Sequence, residues 1–213
     1  MVYKKVRLVE KDKILSLQDK TELLLVYANQ KPTTILFFNP SSSPEPCTSF
    51  YNEKDISKIS KLLNRMNILY KVGKKQVYEF ETILMSNGLY FPAFTIRRIP
   101  LYVASNLENL INIEKADKTE DHKLLRELCG FPNTAIQAFL GERERYAGNW
   151  INKSPLSFFT GFIFSADYHQ EELINTSLRW HNTIKRLSPK LYSKIAEKTK
   201  TSEVTKSYPI EIN

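Results

Sequence analysis

The stretch "DKTELLLVYANQKPTTILFF", residues 19–38, decides the class of the fold. Residues 19–30 open on Asp19, an acidic residue suited to the start of a helix, and continue through a leucine-rich run. Residues 31–38 carry Thr33, Thr34, Ile35, Leu36, Phe37 and Phe38, the β-branched and aromatic content of a buried strand. A helix-to-strand unit is predicted. Next comes "NPSSSPEPCTS", residues 39–49, whose three prolines and four serines deplete the backbone of donors and predict an exposed loop. "EKDISKISKLLNRM", residues 53–66, sets Ile56, Ile59, Leu62, Leu63 and Met66 three and four apart, one apolar helical stripe with a basic outer face. "NILYKVGKKQVYEFETILMS", residues 67–86, has two β-rich segments around Gly73, Lys74 and Lys75, which predicts a hairpin. Pro92 and Pro100 in "GLYFPAFTIRRIPLYVAS", residues 88–105, confine any strand there to a sheet edge or a strand end.

From residue 106 onward the periodicity is helical. Residues 106–116 and 118–129 read as helices, and "ADYHQEELINTSLRWHNTIKRL", residues 166–187, reads as a long one with Leu173, Ile174, Leu178, Ile184 and Leu187 inward. "SPKLYSKIAEK" then restarts with Ser188 as N-cap and Pro189 at the first helical position, where its missing N–H is harmless. The expected class is therefore α+β, with a mixed sheet and helices over 1–104, a helical domain over 105–200 and a polar tail over 201–213.

Composition bounds the function. At 213 residues, 42% hydrophobic and 12% aromatic, the chain can bury a sizeable core. Thirty-one Lys and Arg against 23 Asp and Glu give a formal +8, which favours anionic partners. Cys47 and Cys129 are too few and too isolated for a disulfide framework or a zinc site, which implies a reducing, cytoplasmic setting. No apolar run approaches the ~18–20 residues that span a bilayer, and the N-terminus lacks a signal-peptide core, so no membrane is expected among the partners.

The turn "CGFPNTAIQAFLG", residues 129–141, needs a reading of its own. Gly130 ends the preceding helix because glycine takes the left-handed closing conformation without penalty, and Pro132 prevents continuation. Asn133 is placed to cap a new helix carrying Ile136, Phe139 and Leu140, which Gly141 weakens. The expected corner is structural, packing Phe131 and Phe139; the functional alternative is an anion held by the amides that start the second helix.

"DHKLLRELCGFPNTAIQAF", residues 121–139, resembles a signature of a poorly characterised, mainly archaeal protein family, in which a helix runs into Gly-Tyr-Pro, one variable residue, a Cys-Cys pair and an aromatic. A looser similarity extends over residues 165–195. Gly130, Phe131, Pro132 and Phe139 match the turn, whereas Thr134 and Ala135 stand where the resemblance implies the cysteines. Thiol-based metal or redox chemistry is therefore not implied for this chain, since neither residue supplies a soft thiolate.

Catalytic constellations are sparse. His122, His169 and His181 lie far apart; His169 and Glu172 share a helix face, but two ligands are too few for zinc, and surface pairing is expected. Cys129 and His122 lie two helical turns apart, roughly 10 Å by the rise per residue, so Cys129 is assigned to the core. Phosphate-loop, nucleophile-elbow and metalloprotease motifs are absent. "GERER", residues 141–145, reads as solvated helix surface, and "SFFTGFIF", residues 157–164, as a buried strand or helix linker. No metal, cofactor or catalytic residue is expected.

Charge is the better guide. Arg179, Lys185, Arg186, Lys190, Lys194, Lys198 and Lys200 share a run holding one acid, Glu197, and Lys190, Lys194 and Lys198 recur every four residues. Trp180, His181 and Tyr192 lie near enough to add stacking. Lys71, Lys74 and Lys75 at the expected hairpin tip, with Arg97 and Arg98, form a second basic set. The function expected is that of a non-catalytic binding protein docking on RNA, DNA or a ribonucleoprotein through these surfaces. Two alternatives stand beside it: an enzyme or degenerate enzyme with a pocket between the two parts, and a subunit docking on a partner protein.

Overall fold

The structure, a computed structural model, describes residues 2–40, 51–80, 83–84, 90–91, 94–147 and 155–201. Most of the loop expected over 39–49, the tail from 202 and Pro92 lie outside the described residues. The fold is α+β and divides into two compact units, Met1–Gly130 and Phe131–Asn213.

The first unit begins with a helix that the sequence pattern did not single out. Helix α1 (Val2–Lys11) is polar apart from a short stripe, and buries only Val6 and Val9. Lys5 Nζ also donates to the Met66 carbonyl at 3.0 Å. Helix α2 (Leu17–Tyr27) starts ahead of Asp19, because Ser16 is its cap and accepts from the Asp19 N–H at 3.1 Å. Asp19 supports that cap from within the first turn, taking the Ser16 hydroxyl at 2.5 Å and the Tyr51 hydroxyl. Strand β1 (Thr33–Asn39) follows, then β2 (Tyr51–Asn52) and helix α3 (Glu53–Met66), which buries Ile59, Leu62, Leu63 and Met66.

The expected hairpin at Gly73 does not form. Strands β3 (Leu69–Val72) and β4 (Gln76–Phe80) do not pair with each other; both run antiparallel along one long strand, β7 (Phe94–Ala104). Val72 faces Leu101 and Gln76 faces Arg98, so Gly73, Lys74 and Lys75 oppose only Ile99 and Pro100. This two-against-three register is a β-bulge in a single edge strand. The bulge also corrects the expectation for Pro100, which sits mid-strand in the central β7, between β1 and the bulged edge. In an antiparallel ladder a residue sends its N–H and C=O to the same neighbour. The Pro100 carbonyl accepts from the Gly73 N–H at 2.8 Å, so its missing N–H also faces the bulge, where the ladder is already broken. A Cβ at Gly73 would lie 2.7 Å from Pro100 Cγ and 2.8 Å from Tyr102 Cε2, and glycine is required by that approach.

The sheet is mixed: β1 is parallel to β2 and antiparallel to β7. Strands β5 (Ile83–Leu84) and β6 (Tyr90–Phe91) form a separate pair. Along β7, Leu101 and Val103 alternate with Tyr102 and Ala104, and all are buried. Helices α2 and α3 pack against β1. Helix α4 (Leu107–Lys118) brings Leu110, Ile113 and Ala116 onto Tyr102 and Ala104, joined by Leu128 of α5 (His122–Leu128). Both helices thus belong with the sheet, and the division of the chain falls at Gly130 rather than at residue 104, because Tyr102 and Ala104 are buried by α4 and α5.

The second unit is helical. Gly130 has φ of 78° and closes α5, its N–H donating to the Glu127 carbonyl at 2.9 Å. Pro132, not Asn133, occupies the N-cap of α6 (Asn133–Phe139); Asn133 is the first helical residue and makes no side-chain cap. Pro132 can hold the extended cap backbone because its fixed φ of −60° suits it. "GERER" lies beyond α6 rather than on a helix. Arg145 donates to the carbonyls of Ala138 and Phe139 at 3.1 Å, satisfying the end of α6, and Arg143 pairs with Asp167. A 3-10 turn at Pro155–Phe159 links onward. Helix α7 (His169–Glu172) then runs through a π-helical segment (Leu173–Leu178) into α8 (Arg179–Leu187), and α9 (Pro189–Thr201) restarts after Ser188. The inner face of 169–187 is not the apolar set expected: Glu172, Thr176, Ser177, Trp180, Thr183 and Ile184 are buried, while Ile174 is 57% exposed.

Candidate nucleic-acid interface

On α9 the buried residues are Leu191, Ile195 and Thr199, one per turn. Lys190, Lys194 and Lys198 each precede one of them, and all three side chains are exposed. Successive lysines in this row stand about 6 Å apart along the axis by the helical rise, within the ~8 Å Debye length at physiological ionic strength. Helix α8 adds Arg179, Lys185 and Arg186, and Lys200 follows at the end of α9, all exposed. Glu197 is the one acid between residues 179 and 201.

The aromatic residues expected to help this face are occupied elsewhere. Trp180 is 3% exposed, with its ring 6.3 Å from Phe131 and 6.1 Å from Phe162, so it is core and has no face to offer a base. Its position in the interior stripe of α8 withdraws it from solvent. The His181 and Tyr192 rings meet edge to face at 5.1 Å, with Nε2 and the phenol oxygen 3.0 Å apart, and Phe159 packs on His181 at 5.7 Å. Lys185 Nζ lies 5.7 Å from the Tyr192 ring centroid. His181 and Tyr192 are half-buried, and the fully exposed side chains of this stretch are mostly charged.

The second basic set, in the first unit, has a different character. Lys71, Lys74 and Lys75 are exposed, yet Lys71 pairs with Glu114 at 2.6 Å, and Gly73, Lys74 and Lys75 make up the bulge rather than a hairpin tip. Lysines and a bulge on an edge strand are devices that keep such an edge from pairing with other chains. Arg98 turns inward. Its Nε donates to Gln76 Oε1 at 2.8 Å and a terminal nitrogen to the Tyr78 hydroxyl at 3.0 Å, while the guanidinium lies over the Phe37 and Tyr78 rings at 4.1 and 4.6 Å. Asp117, buried on α4, completes the network: it accepts from Gln76 at 2.5 Å and Tyr102 at 2.6 Å, with Arg98 3.6 Å away. Burial, followed by the hydrogen bond to Asp117, pushes the Tyr102 phenol well above its ordinary pKa. Tyr51 is pushed up to about 12, first by burial and then by its hydrogen bond to Asp19.

A second buried carboxylate lies in the helical unit. Glu172 accepts from the Thr134 hydroxyl at 2.5 Å, the Ser165 hydroxyl at 2.6 Å and the Ser165 N–H at 3.0 Å. The surface pairing of His169 with Glu172 is therefore replaced: Glu172 is 3% exposed, and His169 stacks on Tyr146 with centroids 4.1 Å apart. Neither carboxylate network was readable from pattern, because Asp117, Glu172 and Ser165 are polar residues at interior positions, and Thr134 is half-buried beside them. Cys129 is half-buried rather than core; burial pushes its thiol up, with Lys31 and Thr33 nearby. Among the described residues no group of three or more His, Cys, Asp or Glu is placed to hold a metal ion. No described helix is long and apolar enough to cross a membrane. Compared with protein-family models, with curated proteins and with solved structures, the chain has no match.

Proposed function

We propose that the protein binds nucleic acid, without catalysis, through the basic face of α8 and α9. The observation that carries this reading is the exposed row Lys190, Lys194, Lys198 on α9, backed by Lys185 and Arg186 at the end of α8 and accompanied by a single acid. Such a row repels itself, and a phosphate backbone meeting several lysines together relieves that repulsion while releasing condensed counterions. Lys74 and Lys75 are left out of the interface, since edge protection accounts for them.

The test is a titration of fluorescently labelled DNA and RNA with the whole chain at rising salt. Binding should weaken steeply with salt, and replacing Lys190, Lys194 and Lys198 together by Gln should flatten the log–log slope by up to ~3 units. The replaced side chains are exposed, where a polar contact contributes ~0–1 kcal/mol, and Gln keeps helix propensity, so the circular dichroism melt should move little. Wild-type protein that ignores both polymers at low salt rules the reading out.

A further inference from the structure

Resting on the nucleic-acid reading of the α8–α9 face, we infer that its ligand class is the double-stranded form, held by phosphates and without sequence readout, in preference to single strands. Two observations separate these classes. Proteins that hold single strands place exposed aromatic rings for bases to stack on, each base contributing roughly 1–3 kcal/mol. Between residues 179 and 201 the aromatic side chains are Trp180, His181 and Tyr192. Trp180 is buried against Phe131 and Phe162, and His181 and Tyr192 are engaged with each other and with Phe159 and Lys185. Among the described residues, the face therefore offers no fully exposed ring as a stacking platform for a flexible strand.

The cations, by contrast, are set on a rigid rod. Lys190, Lys194 and Lys198 advance one turn at a time on α9, whose inner side is fixed by Leu191 and Ile195. A stiff, straight row of charge matches the ligand of higher and more regular charge density: a duplex carries one phosphate per about 1.7 Å of axis, twice the density of either strand. Lysine offers a point charge on a flexible stem rather than a planar fork, and suits phosphates better than base edges. Base edges are where sequence is read, so affinity should not depend on sequence.

The experiment uses the whole chain with a labelled DNA duplex of about 20 base pairs, a second duplex of scrambled sequence and the separated strand, each titrated across salt. The duplexes should bind equally and about tenfold more tightly than the strand at low salt. The triple Lys→Gln variant should lose about 2.7 units of salt slope on the duplex, as three phosphate contacts require, against about 2.1 on a single strand. A strand that binds as tightly as the duplex, or a scrambled duplex that binds more weakly, overturns the inference while leaving the nucleic-acid reading standing. Failure of every probe at low salt overturns the nucleic-acid reading itself.

Discussion

Among the described residues, each unit buries one carboxylate among hydrogen-bond donors, but in unlike surroundings. In the sheet unit, Asp117 sits on α4 beside an apolar cluster of Tyr102, Ala104, Leu110, Ile113, Ala116 and Leu128, and its donors Tyr102 and Gln76 arrive from strands. In the helical unit, Glu172 belongs to the interior stripe itself, shared with Thr176, Ser177, Trp180, Thr183 and Ile184. The first unit's cluster is apolar apart from the Tyr102 hydroxyl, which reaches Asp117. The second places polar groups in the stripe itself, where a low dielectric strengthens a satisfied hydrogen bond, as at Glu172, and raises the cost of a missing one, as at Ser177.

The sharpest break of this contrast is Glu172→Leu. The change leaves the hydroxyls of Thr134 and Ser165 and the Ser165 N–H without their acceptor. Buried donors left unpaired cost roughly 1–3 kcal/mol each; the two Ser165 donors are buried, whereas the half-buried Thr134 hydroxyl can turn to water, so a loss on the order of 3 kcal/mol is expected in chemical denaturation. Glu172→Gln keeps one acceptor oxygen and should lose less than half as much. Equal losses for the two variants would mean that side-chain volume, not hydrogen bonding, sets stability there.

In the sheet unit, the corresponding test is steric. Gly73→Ala places a methyl group 2.7 Å from Pro100 and 2.8 Å from Tyr102, inside the contact distance of carbon atoms, and both neighbours are held by the ladder and by Asp117. Overpacking of this kind costs typically 1–3 kcal/mol, read as a lower melting temperature. An unchanged melt would mean that the bulge slides to make room, and that the register around Pro100 is loose.

The same contrast explains which parts of the fold were legible in sequence. Helix α3 was readable to its ends because Ile59, Leu62, Leu63 and Met66 follow the helical period and are buried. Strand β1 was readable because Leu36 and Phe38 are buried in a β-branched, aromatic run. The bulge was not: Gly-Lys-Lys between two extended segments has the composition of a turn, and only the partner strand, distant in sequence, decides between a reversal and an extra residue. The inner face of residues 169–187 was half legible. Ile184 obeys the apolar rule, but Ser177, Thr176 and Glu172 are buried as well, and Ile174 is left outside. Of the candidate interface, the charges were legible and the aromatics were not, since burial of Trp180 depends on Phe131 and Phe162 from other parts of the unit.

The smallest effect expected is the most discriminating test of how the helical unit uses its polar interior. Ser177 lies in the π-helical segment and is fully buried, and its hydroxyl has no hydrogen-bond partner among the described residues. A buried hydroxyl without a partner carries its desolvation cost and gains nothing in return, so Ser177→Ala should be neutral or stabilising by up to ~1 kcal/mol. Ser165→Ala removes the same atom from the same unit, but there the hydroxyl donates to Glu172, and a loss of about 1–2 kcal/mol is expected. Because one oxygen is deleted in each case, side-chain volume cancels between the two variants, and the difference isolates hydrogen bonding. If Ser177→Ala destabilises as much as Ser165→Ala, the Ser177 hydroxyl is paired in solution, and the π-helical turn is held by that bond rather than by its packing.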